Sequence, residues 1–139
     1  MKKLSIFLIL LFLVGCISQP YLQGDENNME IIINHHKYEV KLYQNETVKA
    51  LLKKLPMTLT MTELNGNEKY VYLDDQLPTN EQAIQTIHKG DLMLFGDHCL
   101  VLFYKDFQTH FQYTPIGRIK EINYLKQNLG EENIKIEIL

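Results

Sequence analysis

Hydrophobic residues recur along this chain with more than one period, and each change of period marks an element. From Glu30 to Asn34 and from Lys37 to Tyr43, β-branched or alternating residues form two runs joined by His35-His36, the pattern of a hairpin or of closely paired strands. The period then lengthens. Val48, Leu51, Leu52 and Leu55 recur at i, i+3, i+4 and i+7. That spacing predicts a short amphipathic helix capped by Asn45 and ended by Pro56. From Met57 to Glu63 the residues Met57, Leu59 and Met61 alternate with threonines as in a half-buried strand. Asn65-Gly66-Asn67 is turn chemistry ahead of a further strand near Glu68 to Tyr72.

The second half is less regular. Pro78 to Thr86 is polar and predicts a loop with a helical turn, and His88-Lys89-Gly90-Asp91 turns into a strand from Leu92 to Phe95. Gly96-Asp97 is a tight hairpin signal. The next run, His98 to Tyr104, is almost continuously apolar and predicts the most buried strand; Gln112 to Ile119 predicts another. A final helix over Glu121 to Leu129 places Ile122, Leu125 and Leu129 on one side and stops at Gly130, a left-handed terminator. Asn133 to Leu139 closes the chain with Ile134, Ile136 and Ile138 pointing inward. About eight strands, mostly in antiparallel hairpins, predict a mainly β protein: a closed, antiparallel-rich barrel with two short helices outside its wall. Closure is favoured because it removes exposed edges.

The first residues follow a different logic. Lys2 and Lys3 precede the apolar run Leu4 to Val14, which Leu13-Val14-Gly15-Cys16 closes. A basic head, a short apolar segment and a small residue at the cut site are what a secretory signal needs, and the closing tetrapeptide resembles the lipobox of bacterial lipoproteins. That resemblance implies that Cys16 is acylated, with palmitate-type chains, and that the chain is cut just before it. Residues 1–15 are then a lipoprotein signal peptide. Residues 16–28 are the lipidated cysteine and a flexible tether, polar and holding Pro20 and Gly24, and residues 29–139 are the barrel domain. The expected location is the cell membrane, on its extracytoplasmic face, with membrane lipid as the partner of acylated Cys16.

Composition narrows the function classes. A chain of 139 residues, 45% hydrophobic, supports one domain with a real core. The net charge is −3, and no cluster of four basic residues survives loss of the signal, so nucleic acid is not an expected partner. After Cys16 only Cys99 remains, which excludes a disulfide framework. Within its apolar run Cys99 reads as a core residue, with a nucleophile as the alternative. The five histidines lack ligand spacing: His35 and His36 are neighbours that a strand would point to opposite faces, and His88, His98 and His110 are scattered. Neither a metal nor a cofactor is expected. Asn45-Glu46-Thr47 matches a glycosylation sequon, but the helix cap already accounts for Asn45.

Six pieces in order carry a family resemblance. They are Asn45-Glu46-Thr47-Val48 with Leu55-Pro56-Met57-Thr58-Leu59, then Glu68-Lys69-Tyr70, Gly90-Asp91-Leu92, Phe103-Tyr104 and Tyr113-Thr114-Pro115-Ile116-Gly117-Arg118-Ile119. Together they resemble the small bacterial and archaeal cyclophilin-like domains over nearly all of Ile31 to Leu139. The resemblance implies a cyclophilin-type eight-stranded barrel with flanking helices, in agreement with the strand count. It does not carry over prolyl isomerisation. The arginine within a phenylalanine-rich strand and the Gln-Gly-Gly-Asp run of isomerising cyclophilins have no counterpart, and there is no tryptophan.

Arg118 is the sole arginine among fourteen basic residues. Its planar fork can grip a carboxylate or phosphate at two points, where lysine offers a point charge. The alternative is a structural pair with Glu68 or Asp91. Tyr113 and Thr114 supply hydroxyls beside it, and Phe103 and Tyr104 supply aromatic surface. With Arg118 and Glu68 these residues make a candidate groove for a peptide or small acidic ligand. Phe103 also reads as core, and Phe107, Phe111 and Tyr113 as a second aromatic cluster. The expectation is a membrane-tethered binding module without turnover. Its competitor is a divergent peptidyl-prolyl isomerase or folding assistant for exported chains.

Overall fold

A computed structural model describes residues 28–139. The signal segment, Cys16 and the tether up to residue 27 lie outside the described residues. The first hairpin is β1 (Asn28–Ile33) and β2 (His36–Leu42), with Asn34 and His35 at positive φ in the turn. Helix α1 (Glu46–Leu52) follows, its first turn capped by the Asn45 side chain, which accepts from the Val48 N–H at 2.9 Å. Then come β3 (Met57–Leu64), β4 (Glu68–Tyr72) and the two-residue strands β5 (Gln82–Ala83) and β6 (Thr86–Ile87). They are followed by β7 (Asp91–Phe95), β8 (Cys99–Phe103), β9 (Phe107–Gln108), β10 (Gln112–Ile119), α2 (Leu125–Leu129) and β11 (Ile134–Ile138).

Eight of these strands close on themselves in the order β2-β1-β11-β3-β4-β8-β7-β10, and β10 pairs back onto β2. Every pairing is antiparallel. The mainly β, closed barrel with two short helices is therefore the architecture, and alternation explains its interior. Met29, Ile31, Ile33, Val40, Met61, Leu92, Leu94, Leu100, Leu102, Ile136 and Ile138 are buried at every second position of their strands. Val48 and Leu51 of α1 and Leu125 and Leu129 of α2 join the same cluster. At the closing seam the register of β10 shifts between Pro115 and Gly117. A Cβ on Gly117 would stand 2.6 Å from the Lys41 carbonyl oxygen and 2.9 Å from Val40, so only glycine lets β2 approach this closely.

Four local expectations are corrected. Residues 78–86 form no helical turn; Gln82 and Ala83 pair with Tyr113 and Gln112, and Thr86 and Ile87 with Gln108 and Phe107, so extended pairing satisfies their backbone. Helix α1 ends at Leu52, leaving Leu55 outside, because the residue before a proline is held out of the helical region. Helix α2 begins only at Leu125. Tyr124, with φ 61°, breaks any earlier turn, and Ile122 is exposed rather than packed. Gly130 ends α2 at φ 64° and ψ −171°, an extended positive-φ state open to glycine and not the left-handed helical one.

Candidate functional site

The candidate residues do not converge on one groove, because neighbours on a strand point to opposite faces. Phe103 is fully buried on the outer side of the wall. There it packs on Phe107 and Tyr113 with ring centroids 5.6 Å away in each case, in a cluster with Ile87, Met93, Cys99 and Val101. Ile84 packs against this cluster from the segment that crosses the wall. Tyr113 is buried, and the Thr114 hydroxyl, fully buried, accepts from the Asn80 N–H at 3.0 Å; both brace that segment.

Glu68 stands opposite Phe103 on the same outer face. Burial, then the nearby Glu63 charge, pushes its carboxyl above the ordinary glutamate range. Cys99 is buried, and burial together with the Glu68 charge pushes its thiol up to about 11. At neutral pH it is a protonated packing group and not a nucleophile.

Tyr104 lies on the opposite side of the wall, toward a cavity of about 810 Å³ also lined by Glu63, Lys126 and Glu131. Its hydroxyl donates to Glu63. Beside it the fully buried Lys69 ammonium donates to the carbonyls of Gly130 (2.9 Å) and Glu132 (2.6 Å) and pairs with Glu63 at 3.1 Å. Burial would raise the Glu63 carboxyl, but the hydrogen bonds from Tyr104 and Lys69 outweigh it and hold the carboxyl below its usual range. Burial and the Glu63 hydrogen bond push the Tyr104 hydroxyl well up. With all its protons engaged, Lys69 ties the turn after α2 to the barrel wall.

Arg118 occupies a third place. Its Nε donates at 2.5 Å to Oδ1 of Asp91, a carboxylate whose side chain is 2% exposed, so of the two structural partners open in the sequence it is Asp91 that pairs. The other Asp91 oxygen accepts from the His88 N–H at 2.8 Å. Nη2 of Arg118 lies 3.1 Å from His88 Nδ1. Arginine only donates, so in this contact Nδ1 of His88 is the acceptor. The Asp91 hydrogen bond raises the guanidinium further, and it stays charged. His88 was not a candidate; its signal was the three-residue spacing to Asp91 across the turn.

The Arg118 guanidinium lines a groove of about 480 Å³. Met93, Ile84 and Pro115 give it apolar surface; Tyr43, Gln44, Asn80 and Gln82 give it polar groups. The three amide side chains have no hydrogen-bond partner among the described residues, nor has Nη1 of Arg118. Asn45 is already committed: its Oδ1 caps α1 and its Nδ2 donates to the Pro115 carbonyl at 2.8 Å. The groove is thus a ring of free donors and acceptors around one fixed cation.

The model of the Cyclophilin-like family matches residues 31–139. Among solved structures, a hypothetical protein from the archaeon Archaeoglobus fulgidus, determined in solution, is similar in fold with a TM-score of 0.53 at 18% identity. The match covers 85% of this chain and 97% of that one. No curated protein matches the chain.

Proposed function

The chain belongs to the cyclophilin-like family, and from that premise we propose that it is a lipid-anchored, extracytoplasmic binding module whose Arg118 groove takes the acidic group of a peptide or small ligand. One observation carries this reading. The guanidinium is held through Nε by buried Asp91 and steadied through Nη2 by His88, while Nη1 has no acceptor among the described residues. Pre-orientation lowers the entropy that a two-point carboxylate contact must overcome. The neighbouring Gln44, Asn80 and Gln82 amides supply the hydrogen bonds that fix the rest of a ligand. Attachment to the membrane rests on the lipobox Leu13 to Cys16.

The test is a titration of the purified full chain with a blocked glutamyl dipeptide, followed by backbone chemical shifts. Shifts are expected at Gln44, Asn80, Gln82 and Arg118. Arg118→Lys is expected to weaken the dipeptide by roughly tenfold, about 1.4 kcal/mol, beyond any loss of Tm that follows from replacing the Nε donor of buried Asp91. Absence of groove shifts at millimolar dipeptide would remove the reading, and an unchanged dipeptide affinity in the folded Arg118→Lys variant would assign Arg118 to the scaffold alone. In a proline-peptide isomerisation assay the expected rate is the uncatalysed one; acceleration would favour the isomerase alternative. Cys16→Ser should leave the chain unprocessed or release it from membranes.

A further inference from the structure

Resting on that reading of the groove, we infer that its ligand is an extended peptide, with an acidic side chain at Arg118 and an apolar side chain in a second depression over α1. This depression, about 380 Å³, is lined by Glu46, Val48, Lys49 and Leu52 of the helix, with Glu46 and Lys49 paired at 2.8 Å, and shares Tyr43, Gln44 and Asn45 with the Arg118 groove. The two adjoin across Tyr43, Gln44 and Asn45, on the link between β2 and α1. They differ in chemistry. One holds the fixed guanidinium; the other holds Leu52, only partly buried, beside the aliphatic stem of Lys49.

The backbone of the barrel excludes one mode of peptide binding. Strand addition needs unpaired main-chain groups, but between its contacts with β5 and β2 the edge of β10 is already closed. The Ile116 carbonyl accepts from the Tyr43 N–H at 2.9 Å, the Pro115 carbonyl accepts from Asn45, and proline has no N–H to offer. A peptide lying here is read by side chains: its main chain by the free amides of Gln44, Asn80 and Gln82, its two anchors by the two depressions. A single small acid would fill the Arg118 groove and leave the depression over α1 to water.

Blocked peptides carrying one glutamate and one leucine, separated by one, two or three alanines, test this against the glutamyl dipeptide, all titrated into the full chain. At one spacing the peptide is expected to bind at least tenfold tighter than the dipeptide and to shift the Val48 and Leu52 methyl signals. Replacing its leucine by alanine should return it to the dipeptide's affinity, and Leu52→Ser in the protein should do the same. The peptide-side change remains decisive if that variant folds poorly. If the dipeptide binds through Arg118 and no leucine peptide binds better, the extended ligand is excluded and a small acid takes its place. If neither binds, the groove reading fails as well.

Discussion

The barrel has two unlike halves. Across β2, β1, β11 and β3 the outer face carries Lys37, Glu39, Lys41, Lys135, Glu137, Thr58 and Thr60, all exposed, with ion pairs such as Lys37 to Glu30 at 3.0 Å lying open to water. Across β4, β8, β7 and β10 the same face carries Tyr70, Cys99, Val101, Phe103, Met93 and Tyr113, and Ile84, Ile87 and Phe107 cover it. One half is a solvated sheet with a single buried side. The other is buried on both sides, and the Arg118 groove lies at its margin, where the covering segment, β10 and the link into α1 meet. A small barrel can thus place a site only where its wall is covered. An open wall offers only solvated charges, whereas a covered wall can hold a carboxylate such as Asp91 dry enough to fix an arginine.

The difference should be largest at Phe103. Phe103→Ala removes a ring enclosed by Phe107 and Tyr113, and cavity formation of this kind costs about 4 kcal/mol. The expected fall in Tm is about 15 °C, at about 4 °C per kcal/mol for a domain of this size. Thr60→Val, at an exposed site of the open wall, should move Tm by no more than about 2 °C. Equal effects at the two positions, read by thermal denaturation, would abolish the distinction between the halves.

How legible the fold was follows the same division. Met57 to Glu63 and Ile134 to Ile138 were readable as strands, with their inward residues, because one face is wet and the alternation survives. His98 to Tyr104 was readable as a buried strand, but burial on both faces erases the alternation that tells them apart. Phe103 and Tyr104 were therefore assigned to one groove, although their adjacency on a strand separates them. Residues 78–86 read as a loop with a helical turn because Gln82 and Ala83 find their partners about thirty residues on, at Tyr113 and Gln112, which no local pattern records. The Asp91 pairing of Arg118 was one of two alternatives open in the sequence; the part played by His88 was not among them. Lys69 gave no sign of being interior, since its acceptors are the carbonyls of Gly130 and Glu132, far along the chain.

Lys69 and Lys37 show the same contrast between the halves at a smaller scale. Lys69 lies on β4 of the covered half and points inward, fully buried, whereas Lys37 on the open wall has a side chain 61% exposed. Lys69→Met keeps the stem and removes the ammonium, so two carbonyls and Glu63 lose their donor at once. Breaking a buried charged network in this way costs about 3 kcal/mol, a fall in Tm of about 10 °C. Amide exchange in residues 130–133 should accelerate with it. Lys37→Met should cost at most about 0.5 kcal/mol, as exposed pairs do. A Lys69 variant as stable as the Lys37 variant would show that the ammonium contributes nothing to tying down that turn.

The smallest effect, and the one with an informative sign, belongs to Glu68. It is the carboxylate that the covered wall holds without a cation among the described residues, and burial followed by the Glu63 charge raises its pKa on folding. Between the ordinary glutamate range and that raised value, the folded chain keeps a proton that the unfolded chain has released. Stability therefore falls as pH rises through this window, and the whole cost is present above it. Glu68→Gln removes the cost. At pH 7 the variant should melt a few degrees higher than the parent, and the advantage should fade as the pH drops below the glutamate range. Glu137→Gln on the open wall should show neither the gain nor its pH dependence. A Glu68→Gln variant that melts lower at pH 7 would mean that the charge is matched by a cation, and that the covered wall tolerates ionised groups as readily as the open one.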